Sequence, residues 1–156
     1  MAARSEEVIA IAKRWLLLVL FAALSASAQT VSPSPMGTWR TFDDRTGKER
    51  SLVRIEETGG VLTGRIVAAI DPVDGARTCT GCDDDRKGKP MIGLEIIRGM
   101  RQQGDVWTGG RVLDPQTGSV YRGTMHLEED GRKLVLRGYV VIPLFGRSQT
   151  WLRAAP

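Results

Sequence analysis

The chain is poor in the residues that most catalysis relies on. It has one histidine, His126, and two cysteines, Cys79 and Cys82, in 156 residues. A single imidazole, with no serine in a nucleophile-elbow pattern, leaves no serine or cysteine hydrolase triad. Two cysteines without a neighbouring histidine do not make a closed zinc site, so no metal or other cofactor is expected. Aromatics are sparse, with three phenylalanines, two tyrosines and four tryptophans. Charge of one sign never gathers. The 22 basic and 18 acidic residues interleave from Arg40 to Arg153, and a net charge of +4 with no basic block excludes a phosphate-tracking nucleic-acid surface. Beyond residue 24 no apolar stretch approaches the length of a bilayer span.

What is present begins at the N-terminus. Lys13 and Arg14 precede the apolar run Trp15 to Leu24, and Ser25-Ala26-Ser27-Ala28 closes it. This predicts a helical secretory signal peptide over residues 1–28, cleaved after Ala28. The run is too short to span a membrane, and the first cysteine lies far beyond the cleavage point, so no lipid anchor is expected on an N-terminal cysteine. The mature protein is then exported, to the periplasm or beyond, without a membrane span. In an oxidising compartment Cys79 and Cys82 are expected to join. Closing so short a loop contributes roughly 2 kcal/mol at most, so the bridge pins a loop rather than holding the domain. The alternative reading of Cys79-Thr80-Gly81-Cys82 as a redox pair conflicts with Asp83-Asp84-Asp85, which sets negative charge where a thiolate needs stabilising. The same aspartates with Gly88 invite calcium, but Arg86 and Lys87 interrupt them, and a solvated charged loop is expected instead.

Residues 29–35 are small, polar and proline-containing, and read as a flexible leader before one domain over 36–156. Turn signals then recur, as in Asp43-Asp44-Arg45-Thr46-Gly47 and Asp114-Pro115-Gln116-Thr117-Gly118. Between them lie strand-sized pieces with a period of two. Leu134, Leu136, Gly138 and Val140 share a face, as do Leu62, Gly64, Ile66, Ala68 and Ile70, then Ile92, Leu94 and Ile96, then Tyr121, Gly123, Met125 and Leu127. His126 falls opposite the last set, toward solvent. Strands are predicted at 37–42, 50–56, 61–70, 91–100, 106–113, 119–127, 133–141 and 148–153, with no helix signalled between them. About eight short strands joined by tight turns make an antiparallel, up-and-down, all-β sheet that packs on another or closes into a barrel. Such a barrel is filled by side chains or holds one small ligand. Glycines 64, 123 and 138 favour space, whereas Met125, Leu127, Leu134 and Leu136 favour filling.

A set of motifs adds to this reading. Gly37-Thr38-Trp39, Asp43-Asp44 with Thr46-Gly47, Pro90 to Leu94, Trp107 to Pro115, Arg137-Gly138-Tyr139 and Phe145 to Trp151 occur in order. Together they resemble the exported bacterial domain-of-unknown-function family 2147 over nearly all of 36–153. The resemblance implies a small lipocalin-like β-barrel with no agreed activity. Lipocalins set a Gly-x-Trp on the first strand beneath a basic residue from near the last. That role is carried here by Trp39, with Arg153 or Arg147 as partner, in a structural contact worth roughly 1 kcal/mol.

Three functions are open at this level. The first is binding of a small, partly apolar or amphipathic molecule in the lumen, with Tyr121, Tyr139, Arg147, Gln149 and Trp107 as candidate ligand-binding residues. The second is a filled barrel acting as an envelope or host protein-interaction module. The third is a hydrolase using Asp43, Asp44 and Asp114 as a carboxylate pair, although turn capping explains those residues without catalysis.

Overall fold

The computed structural model describes residues 33–155. The expected signal peptide, its cleavage site at Ala28 and most of the expected leader lie outside the described residues. Eight antiparallel strands follow in chain order: β1 (Gly37–Phe42), β2 (Glu49–Thr58), β3 (Val61–Ala69), β4 (Glu95–Gln103), β5 (Val106–Leu113), β6 (Val120–Glu128), β7 (Lys133–Tyr139) and β8 (Gly146–Arg153). Each pairs with its neighbours in sequence, and β8 returns to β1 to close the barrel. Closure removes the exposed edges that an open sheet of this length would present. No described helix is long and apolar enough to cross a membrane.

Alternation places the core as expected in most strands. Trp39, Val53, Ile55, Leu62, Ile97, Met100, Met125 and Leu134 point inward and are fully buried. At roughly 1.5 to 3 kcal/mol for each large side chain removed from water, this layer dominates stability. Gly123 is filled space rather than open space. A Cβ there would lie 2.3 Å from Met100 Cε, so the thioether occupies the volume that the missing side chain leaves.

Two parts of the expected pattern are corrected. The β2–β3 register shifts between Leu52 and Val53, which pair with Ala68 and Ile66. The inward face therefore moves from the even positions to Ala69, and Ile70 is left exposed. Strand β4 starts at Glu95 rather than 91, because Met91 to Leu94 make a turn in which the Leu94 N–H donates to the Met91 carbonyl at 3.1 Å. Ile92 is accordingly exposed. A helical turn at Pro72–Gly75, capped by Asp71, was not signalled by the sequence.

The long β3–β4 connection carries the disulfide. Cys79 and Cys82 are bonded, with Cα atoms 5.5 Å apart, and both are buried. Gly81 packs against the β5–β6 loop so closely that a Cβ on Gly118 would lie 2.0 Å from the Gly81 carbonyl oxygen, and Gly118 also holds φ +79°. The aspartates beside it are exposed, as expected of a solvated charged loop, and the departure from that expectation is Arg86. Arg86 is 2% exposed, fastened to Asp84 and to the Glu95 carbonyl at 3.0 Å, and Asp85 is clamped by Arg98.

Closure between β1 and β8 is brief, with only Trp39↔Arg153 and Arg40↔Leu152 in register. At that end Trp39 donates from Nε1 to the Pro35 carbonyl at 2.8 Å, and the Arg153 guanidinium lies 4.2 Å from the indole centroid. Arg153 also donates to the carbonyls of Gly131, Met36 and Ser34. Ser34 and Pro35, expected in the leader, are thus held against the barrel.

Several carboxylates titrate below their ordinary range. Asp43 is lowered by the Thr46 N–H, Glu49 by Arg40, Asp84 by Arg86, Asp85 by Arg98 and Glu129 by Lys133. A depressed folded pKa means that the unfolded chain binds more protons at acid pH, so the stability these groups confer is present above the ordinary carboxylate range. It is lost as pH falls through the lower folded values. The thermal unfolding midpoint is expected to be lower at pH 3 than at pH 6, with a smaller difference in Asp85→Asn. A midpoint flat between those pH values would refute this linkage.

Candidate functional site

The barrel is filled at one end and hollow at the other. The closed end, carrying the β2–β3, β4–β5 and β6–β7 turns, holds the packed layer around Trp39. At the opposite end the β1–β2, β3–β4, β5–β6 and β7–β8 connections surround a cavity of about 450 Å³. Its walls are apolar, with Ile66, Met91, Ile96, Leu113, Leu136 and Trp151. Strands place them there through the inward positions of β3, β4, β5, β7 and β8, while Met91 comes from the turn before β4.

Of the expected ligand-binding residues, Tyr121, Tyr139, Arg147 and Gln149 line this cavity together. Trp107 does not. It sits beside the β4–β5 turn at the closed end, opposite Met125, and is a core residue. Sequence reasoning could not tell which end of the lumen was open. Arg147 likewise lies at the open end, so Arg153 alone meets Trp39. Missed by sequence reasoning were Thr41 and Ser51, whose hydroxyls bond at 2.7 Å in the cavity wall, and Trp151, whose inward position in β8 was a usable signal.

The cations around the mouth are paired, whereas Asp114, also in the lining, enters no ion pair among the described residues. Asp44 pairs with Arg147 and accepts from Gln149 Nε2 at 2.9 Å, and Trp151 Nε1 donates to Gln149 Oε1 at 3.2 Å. This chain of bonds bridges the stretch where β1 and β8 are no longer in register. Arg50 spans Asp43 and Asp74, and Arg77 also reaches Asp74. The cations lining the cavity are therefore engaged by carboxylates. The hydroxyl of Tyr121, a residue on the inward face of β6, makes no hydrogen bond among the described residues, and Tyr139 borders the mouth from the outward face of β7, opposite Arg122.

The three aspartates considered for hydrolysis are structural in their contacts. Asp43 accepts from the N–H groups of Arg45 and Thr46, and Asp114 accepts from that of Gln116 at 2.9 Å. A glycosidase-type general acid needs a raised pKa, and that of Asp43 moves the other way. His126 faces outward beside Glu128, at 3.2 Å.

The barrel is similar to a solved structure described as "Protein HP1028 from the human pathogen Helicobacter pylori belongs to the lipocalin family". The two share 16% sequence identity and superpose with a TM-score of 0.68 over 79% of this chain and 84% of that one, which establishes a common fold. No curated protein sequence matches the chain. The family model described as "Uncharacterized protein conserved in bacteria (DUF2147)" matches residues 37–153, from the first residue of β1 to the last of β8. The chain therefore belongs to the DUF2147 family and carries its sequence on a lipocalin-like barrel.

Proposed function

We propose that this protein binds a small, neutral, partly apolar molecule in the open half of the barrel, and does so after export from the cytoplasm. The observation that carries this reading is the cavity of about 450 Å³, a size within the roughly 300 to 1,000 Å³ typical of ligand pockets. Apolar walls supply affinity through burial, and a few polar groups at the rim orient the molecule. Tyr121 and Gln149 are the inward polar groups of the rim, with Tyr139 bordering it, and Arg147 acts through Asp44 rather than as a free cation. Neutrality of the ligand rests on the pairing of the lining cations and on Asp114 being engaged by the Gln116 N–H of its own turn, since a charged guest would have to break an existing contact or lose its own hydration. Export is supported by the signal-like segment 1–28 and by the disulfide. No catalytic step is part of this reading.

The test is native mass spectrometry of protein recovered after export from its bacterial host, followed by solvent extraction. A stoichiometric extra mass that extraction removes is the expected result. A bare protein mass under gentle conditions would overturn the reading and favour the protein-interaction alternative.

A further inference from the structure

The β7–β8 connection is built from six successive apolar residues, Val140 to Phe145, and water covers them. Val140, Val141, Leu144 and Phe145 are 68%, 69%, 75% and 74% exposed, and Ile142 is 44% exposed. Ile70 and Val73 add exposed apolar surface on the same rim. Scattered surface leucines are ordinary, but a contiguous apolar tip marks a docking surface.

Part of the backbone of this tip is satisfied from within. Arg137 donates to the carbonyls of Pro143 and Leu144 and to Ser148 Oγ, and the Phe145 N–H donates to the Ile142 carbonyl. Pro143 has no N–H to satisfy. Each of these bonds lowers the cost of moving the loop from water to a medium that offers no hydrogen bonds.

Charge on the outer wall points to the same occupant. Arg111 in β5 stands directly opposite Arg122 in β6, and Arg122 stands opposite Tyr139, the residue just before the tip. Both arginines are exposed, and neither enters an ion pair among the described residues. Like charges facing across strands oppose folding. Here they place a cationic band at the base of an apolar tip, which complements anionic headgroups above hydrocarbon. A six-residue convex tip is small beside the roughly 800 Å² per partner of a standard protein interface.

We propose that the open end of the barrel docks on an anionic phospholipid bilayer, with Val140 to Phe145 inserted and Arg111 and Arg122 against the headgroups. Val140 and Phe145 also line the cavity, so docking sets the cavity mouth at the membrane. The inference goes beyond ligand binding and stands without it.

The experiment is flotation of the exported protein, its N-terminus read by mass, with vesicles of phosphatidylcholine containing phosphatidylglycerol and with phosphatidylcholine alone. Wild type is expected to float with the anionic vesicles. Val141→Ser with Leu144→Ser, both outside the cavity lining, is expected to lose about tenfold in partitioning. Arg122→Glu sets an opposite charge across from Arg111. It is expected to bind anionic vesicles more weakly while its unfolding midpoint is no lower than that of wild type. Absence of flotation would overturn the proposal. So would equal flotation of wild type and the serine variant, which would place attachment elsewhere, or a dimer in sedimentation that the serine variant returns to monomer.

Discussion

Trp39→Ala is expected to lower stability by about 3 to 5 kcal/mol, a large share of the roughly 5 to 15 kcal/mol that holds a domain folded. The indole is fully buried, and its loss removes three things at once: the apolar contact, the hydrogen bond to Pro35 and the surface on which Arg153 rests. The effect is large because of topology. Two residue pairs of β1 and β8 are in register, with the Ala154 N–H on the Thr38 carbonyl beside them, and Trp39 is in one of those pairs, so the short barrel seam leans on side chains at this end. Trp39→Phe keeps a ring beneath Arg153 but not the N–H, and is expected to cost about 1 to 2 kcal/mol. Urea unfolding of the three proteins checks the ordering. Equal stability of Trp39→Ala and wild type would show that the seam is held elsewhere.

Leu136→Trp is expected to abolish lumen binding, with affinity reduced at least about tenfold, a difference of about 1.4 kcal/mol. Leu136 is inward-facing and forms part of the wall where the cavity begins above the packed layer, so a larger side chain there grows into empty volume. Filling space of this kind costs less than overpacking a closed core, and the unfolding midpoint is expected to stay within a few degrees of wild type. The measurement is the fraction of exported variant that carries the extra mass in native spectra. Undiminished occupancy in a folded variant would place the ligand outside the barrel.

The strands were legible because a half-buried strand writes its burial directly into the chain. Leu134 and Leu136 alternate with Val135 and Arg137, and the period of two survives into the structure. The pattern misled at Ala68, Ile70 and Ile92, where a register shift and a turn move residues to the other face. A single extra residue inverts every side chain after it, and no local signal in Ile66-Val67-Ala68-Ala69 announces one. Arg86 was misjudged for a related reason. Its burial depends on Asp84 and on the carbonyl of Glu95, a strand residue nine positions away.

The candidate site was half legible. Tyr121 could be assigned to an inward face and Arg147 and Gln149 to the polar-aromatic stretch 145–151, whereas Tyr139 falls out of phase with the inward face of its strand, and all four border one mouth. Trp107 is also inward but lies at the other end of the lumen. Periodicity reports which face a residue takes, not how far along the barrel axis it sits or what fills the lumen there.

By itself the sequence determined the all-β class, the strand count, the inward faces and the pairing of Cys79 with Cys82, because alternation, turn chemistry and three-residue spacing are local properties. Tertiary structure alone decided that the lumen is packed below and hollow above. It also decided that Asp44 neutralises Arg147 and that Val140 to Phe145 stand in water. Each of these depends on residues distant in sequence meeting in space, as Asp44 and Gln149 do across 105 positions.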